Sequence, residues 1–286
     1  MTKPDYRSPL IYLLTLFVIV LLIVLKRQQD HLDKLKDDLV FDTKEIIDEP
    51  DIAVEQTPPE PPHPPLRGII GLIIDDFGYR NDEVSNGFLN LPARLTFAVI
   101  PGHEHSRSFS KNAVSSGYEV IVHMPMENIG KTFGEEEFVL MSYFQDDELI
   151  KRIKEALNHI PEAKGLNNHQ GSRATESYRV MRTLASVLKE ENKFFIDSRT
   201  TINTLAEETM RQFYVPTSRR NIFLDNILDE EKINAQLIQL TDVAERKGIA
   251  IGIGHVKPQT LAVLKKHIPE LQQKGFKFEF VSKLVN

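Results

Sequence analysis

The chain has no cysteine and no tryptophan among its 286 residues, and its 35 lysines and arginines stand against 41 acidic side chains, a formal net charge of -6. Without thiols there is no disulfide framework, no thiolate metal site and no cysteine nucleophile, so any metal must be held by His, Asp or Glu. Without a basic excess there is no electrostatic footprint for a phosphate backbone, and nucleic acid is set aside as a partner. What the chain does have is 41% hydrophobic residues, enough to bury a sizeable core in one large or two small domains.

Long uncharged runs are scarce, and the one at Leu10 to Leu25, LIYLLTLFVIVLLIVL, stands out. As a helix it spans about 24 Å, a little short of a bilayer's hydrocarbon core, which flanking residues can complete. Lys3 and Arg7 precede it and Lys26 and Arg27 follow, so flanking charge leaves the orientation open. It is apolar on every face, unlike a surface helix, and no small-x-small cleavage site follows it, unlike a signal peptide. Residues 1–27 therefore read as an uncleaved transmembrane anchor. Residues 28–66 are rich in acid and then in proline, ending in TPPEPPHPP. That composition favours a disordered, extended linker over a packed core.

From Arg67 onward the rhythm becomes regular. GIIGLIID, RLTFAVIP, YEVIVHMP, KGLNNH, KFFIDSR, QFYVPT, GIAIGIGH and FKFEFVS read as short buried strands. Amphipathic helical patterns such as DDELIKRIKEALNHI and SYRVMRTLASVLKEE lie between most of them. Continuously apolar strands alternating with helices predict an α/β domain over 67–286, with a parallel sheet of seven or eight strands closed or nearly closed into a (β/α) barrel.

In such a barrel the C-terminal strand ends share one face, where sites are built. Polar residues collect there: Asp75 and Asp76 after the first strand, His123 in the third, Asn167, Asn168 and His169 in the fourth, Asp197 with Arg199 after the fifth, and His255 in the seventh. Adjacent carboxylates repel, and a divalent cation that also accepts neutral imidazole relieves the repulsion. An Asp, His, His set around zinc leaves a water on the open position with its pKa pulled toward neutrality. A second carboxylate can then act as general base, and a histidine across the mouth as general acid. His103 and His105 in PGHEHS have spacing that can bind metal, but in a polar loop solvation is the stronger expectation.

GLIIDDFG, GYEVIVHMPME, GLNNHQGS, FFIDSRT, NIFLDN and GIGHVKPQTL, taken in order, resemble the divergent polysaccharide deacetylases, a branch of the carbohydrate esterases with the NodB-like deformed (β/α) barrel. The resemblance implies Asp75 as base, Asp76 as metal ligand, His123 as a second ligand and His255 as acid. Where the family has a second motif histidine this chain has Glu127, so either Glu127 or His169 completes the set. His169 is preferred because a neutral imidazole restores the usual charge. Asp197 and Arg199 are expected to orient His255 or to bind substrate, and Asn168 to donate to a carbonyl or to cap a turn. The implied protein is a membrane-anchored, zinc-dependent hydrolase outside the cytoplasmic membrane that removes N-acetyl groups from a peptidoglycan-type or other amino-sugar polymer. The alternative is a non-catalytic protein of the same fold that binds glycan or a wall partner.

Overall fold

The computed structural model describes residues 17, 19–32, 64–132 and 134–286. The chain divides into two units, Met1–Pro61 and Pro62–Asn286. In the first, residues 17 and 19–32 are helical, and the rest of the expected anchor and residues 33–63 of the expected linker lie outside the described residues. Among the described residues no helix is long and apolar enough to cross a membrane.

Among its described residues the second unit carries nine strands: β1 (Gly68–Phe77), β2 (Thr96–Val99), β3 (Glu119–Met126), β4 (Gly165–Gln170), β5 (Phe194–Asp197), β6 (Thr217–Arg219), β7 (Ile222–Phe223), β8 (Ile249–His255) and β9 (Phe276–Phe278). Helices α1 (Glu83–Phe88), α2 (Ser106–Ser115), α3 (Asp146–His159), α4 (Tyr178–Glu190), α5 (Ala206–Gln212), α6 (Glu230–Lys247) and α7 (Pro258–Gln273) separate most of them. All strand pairs are parallel. The order is β6-β5-β4-β3-β2-β1-β8-β7, with β9 beside β1, a curled eight-strand path.

The two ends of that path are successive pieces of one segment. Arg220 N–H donates to Asp197 O on one side and Asn221 N–H to Ile251 O on the other, so the chain itself crosses the gap that no ladder closes. QFYVPT, expected as a strand, is instead the end of α5 and a turn. Phe213 N–H bonds back to Thr209 O and Met210 O, Val215 N–H to Met210 O, and pairing begins at Thr217, after Pro216, which has no N–H to donate.

Strand periodicity sorts the core into two layers. Ile70, Leu72 and Ile74 of β1 pack toward the helices. Ile73, Ala98, Ile121, Ile196, Ile251 and Ile253 fill the barrel, closed below by Val281 and Leu284. Side chains two residues apart share a face. The layer above Ile73, Ile121 and Ile253 is therefore Asp75, His123 and His255, which places three expected site residues together. Helix entries are set by side-chain caps, as where Asp82 and Ser85 form a capping box at α1 and Asp229 accepts from Lys232 N–H at α6.

Candidate functional site

Asp75 and Asp76 should point to opposite faces of β1, yet both reach His123. Two irregularities make this possible: the β1–β2 register shifts between Ile74 and Phe77, and Asp76 has φ 70°. Six non-glycine residues among those described have positive φ, and four of them stand at this mouth: Asp76 near the end of β1, Gln170 at the last position of β4, Arg199 just after β5 and Glu135 in the loop after β3. Backbone strain of this kind persists only where surrounding structure fixes it, and it concentrates at functional sites.

His123 Nε2 lies 3.4 Å from Asp76 Oδ1, His169 Nδ1 lies 3.4 Å from the same oxygen, and the two nitrogens are 3.1 Å apart. Ligands about 2.0–2.1 Å from a tetrahedral zinc lie about 3.3–3.4 Å from one another. The three atoms thus have the spacing of a shared cation. Asp76 Oδ1 is buried and has no hydrogen-bond partner, an orphaned acceptor that a cation would satisfy. The residues present fit a divalent metal.

The surroundings prepare the ligands. His123 Nδ1 donates to Asn167 Oδ1 at 2.7 Å, and Asn167 Nδ2 donates to Asp75 Oδ1 at 2.8 Å. This chain leaves His123 Nε2 as the nitrogen facing Asp76 and pins one oxygen of Asp75. The other, Oδ2, stands 3.5 Å from His123 Nε2. Asp75 and His123 are each 2% exposed. Burial pushes the Asp75 carboxyl above the usual carboxylate range, partly offset by His123 and His255. Burial also works against charge on Asp76, but the facing imidazoles of His123 and His169 overcome it and hold its carboxyl well below that range. Burial likewise disfavours charge on His123, and Asp75 and Asp76 outweigh it and raise its pKa. The metal-free site therefore attracts a proton to the place a cation would neutralise.

Across the mouth, Asp75 and His255 are register partners on β1 and β8. His255 Nδ1 is 2.8 Å from Asp225 Oδ1, and Asp225 Oδ2 accepts from His255 N–H at 2.6 Å and from Thr260 Oγ1 at 2.6 Å. Burial opposes charge on His255, yet the Asp225 bond and the Asp76 and Asp75 charges push its pKa up to about 9. A cavity of about 410 Å³ is lined by Asp75, His123, His169, Ser198, Arg220 and His255 among others.

Residues 72–285 match the divergent polysaccharide deacetylase family over most of the chain. The chain belongs to that family. An uncharacterized Escherichia coli protein, YibQ, is 36% identical over 73% of this chain, and the match spans only 65% of that relative's length. An uncharacterized protein of Agrobacterium tumefaciens has the same fold, with a TM-score of 0.73 at 19% identity over 80% of this chain and 92% of its own. The catalytic domain of a peptidoglycan N-acetylglucosamine deacetylase from Eubacterium rectale gives 0.51 at 14%, over 80% and 94%. A mutant of a CE4-family pseudoenzyme from Bacillus anthracis gives 0.50 at 15%, over 82% and 74%.

Within this family member the second imidazole facing Asp76, that of His169, comes from β4, and Glu127 turns elsewhere. Its Oε2 accepts from Ser142 N–H at 2.6 Å, its Oε1 lies 3.6 Å from Arg173 Nε, and its backbone carbonyl takes the Arg173 and Ala174 N–H groups. His103 also lies outside the metal cluster, 3.0 Å from Glu135, and His105 sits at the start of α2. Neither Asp197 nor Arg199 orients His255. The buried Asp197 carboxylate accepts from Arg199 N–H at 2.8 Å and Thr204 Oγ1 at 2.9 Å, behind the cavity wall, while Arg199 reaches that wall. Asn168 lines the cavity, but its amide braces two loops, accepting from Ser198 N–H at 2.9 Å and donating to Gln170 O at 2.8 Å. Phe77 and Met124 are core residues, Phe77 stacked on Phe109. Sequence reasoning missed Asp225 as the partner of His255, although the quoted NIFLDN contains it. It also missed Ser198, whose buried Oγ has no partner, and Glu135.

Proposed function

We propose that the chain is a zinc-dependent hydrolase that removes N-acetyl groups from an amino-sugar polymer of the cell envelope. One observation carries this reading: Asp76, His123 and His169 converge at ligand spacing between a buried carboxylate and an imidazole held by its own carboxylate. Asp76, His123 and His169 would hold the metal. When bound, it supplies an acidified water and polarises an amide carbonyl. Asp75 Oδ2 takes the proton of the attacking water, with Oδ1 pinned by Asn167 so that the free oxygen faces the reacting atoms. His255, fixed through Nδ1 to Asp225, offers Nε2 as the acid that protonates the departing amine. Ser198 lies in the cavity wall with its Oγ buried and without a protein partner, and a turn of that hydroxyl would present it to a sugar or acetamide oxygen, with Asn168 holding its backbone and Arg199 beside it. The apolar run Leu10–Leu25 and the acidic linker support an inner-membrane anchor with this domain outside the cytoplasm.

The second reading, a non-catalytic binder, draws on Glu127 standing in a ligand position of the family motif and on the pseudoenzyme that shares the fold. Acetate release from N-acetylglucosamine oligomers and peptidoglycan fragments decides between them. Release that stops on chelation and returns with zinc supports the hydrolase. A zinc-loaded protein that binds these glycans and releases no acetate is the binder.

A further inference from the structure

The loop after β3 carries Glu135, a carboxylate with no place in the chemistry above, and its side chain is only 3% exposed. A solvated loop glutamate has no reason to be buried, and this one is held in the left-handed region at φ 50°, directly after Gly134 at φ 75°. Its Oε1 accepts from the Tyr79 hydroxyl and faces His103 Nε2 at 3.0 Å, and the Tyr79 and His103 rings lie 4.0 Å apart between centroids. Tyr79 follows β1 and His103 follows β2, so the loops after three successive strands converge on this one carboxylate. Its other oxygen, Oε2, lies 4.0 Å from His169 Nε2.

His169 faces Asp76 and His123 through Nδ1, so in the metal-bound state its Nε2 must carry the hydrogen. That N–H is directed to the side where Glu135 Oε2 is placed, 4.0 Å away, whereas the Gln170 side-chain nitrogen, 3.2 Å from the same ring nitrogen, is itself a donor and has to turn aside once Nε2 carries the hydrogen. A ligand imidazole whose far N–H meets a carboxylate is locked in one tautomer and one ring orientation and becomes a more basic donor. We propose that Glu135 is a positioning residue for the metal centre, its carboxylate serving as the outer partner of His169, with Tyr79 and His103 holding it in place. This accounts for a buried glutamate on a strained loop and for His103 lying beside, and not in, the ligand set. It rests on the metal site proposed above and adds a residue whose type and position the family resemblance does not supply.

The test is zinc affinity of the full-length protein, by competition with a chromophoric chelator, for wild type, Glu135→Gln, Glu135→Ala and Tyr79→Phe. Glu135→Gln keeps the shape and removes the charge, and it should weaken zinc by about 10- to 100-fold. Tyr79→Phe removes one contact to Oε1 and leaves Oε2, so affinity should change by less than about 3-fold. In zinc-loaded, 15N-histidine-labelled protein the His169 Nε2–H resonance should lie downfield in wild type and move upfield in Glu135→Gln. Equal affinities for wild type and Glu135→Gln, or an unmoved resonance, overturn the proposal. A loss in Tyr79→Phe as large as that in Glu135→Gln also overturns it, because the carboxylate is then only a loop anchor. A wild type that binds zinc but releases no acetate refutes the hydrolase and leaves this inference standing. A wild type that binds no zinc removes both.

Discussion

Replacing Asp225 by asparagine takes one negative charge from behind His255 while keeping a group of the same shape on Thr260 and the His255 backbone. In the present structure His255 is raised from 6.5 to about 9 against the opposition of burial, and the bond to Asp225 is the largest effect raising it, ahead of the Asp76 and Asp75 charges. A shift of that size corresponds to roughly 3 kcal/mol favouring imidazolium, at about 1.4 kcal/mol per unit, and the side chain is 23% exposed, so screening trims but does not remove it. Loss of the largest contribution should lower the His255 pKa by at least about one unit, a tenfold change in the protonated fraction at alkaline pH. The assay is a proton NMR titration of the imidazole in metal-free protein, which matches the state described. Because folding raises this pKa, its contribution to stability is complete below pH 6.5 and is lost as pH rises through about 9. In the zinc-loaded enzyme the cation offsets Asp75 and Asp76, so the alkaline limb of kcat/KM falls before pH 9, and Asp225→Asn moves it lower still. A wild-type His255 that titrates near 6.5, or an Asp225→Asn protein that folds and titrates like wild type, refutes the reasoning.

Four further outcomes are expected. Asp75→Asn should keep its zinc and lose about 10²- to 10⁴-fold in kcat, as expected for a general base, and turnover near the wild-type rate would remove Asp75 from that role. His169→Ala should lose zinc, whereas Glu127→Ala should keep it and instead lose about 1.5–3 kcal/mol in urea denaturation, because the Ser142 amide loses a charged acceptor. Zinc lost from Glu127→Ala in a folded protein would contradict the ligand assignment. Ser198→Ala should leave stability unchanged, since its hydroxyl has no protein partner, and raise KM for an N-acetylglucosamine oligomer by about 2- to 10-fold. An unchanged KM would mean that the substrate does not use that hydroxyl. Asp197→Asn should lower stability with little change in KM, because its carboxylate serves Arg199 N–H and Thr204 behind the cavity, and a large KM effect in a fully stable protein would place it in substrate contact after all.

What was legible in the sequence follows from how local each signal is. GLIIDDFG and GIAIGIGH announce buried parallel strands by composition alone, and the polar residues closing them fall on one face because strand polarity is common to the whole sheet. The sixth strand was misplaced because Phe213 and Val215 look like strand residues while their N–H groups finish a helix, and β7 has only two residues, too few for any period to show. Both carboxylates of the pair reach the same imidazole only because of a register shift and a positive φ at Asp76, neither of which residue type reveals. Asp225 and Glu135 escaped for a different reason. Each is a common acidic residue in a loop or at a strand end, and its meaning comes from a partner 30 or 34 positions away that only tertiary closure brings near.

The central claim is that one divalent cation is shared by Asp76, His123 and His169. Anomalous diffraction at the zinc absorption edge, from crystals of the zinc-loaded protein, tests it directly. A single strong peak about 2.0–2.1 Å from Asp76 Oδ1, His123 Nε2 and His169 Nδ1 is the predicted result. Zinc found on other residues, or none at that position, would contradict the account.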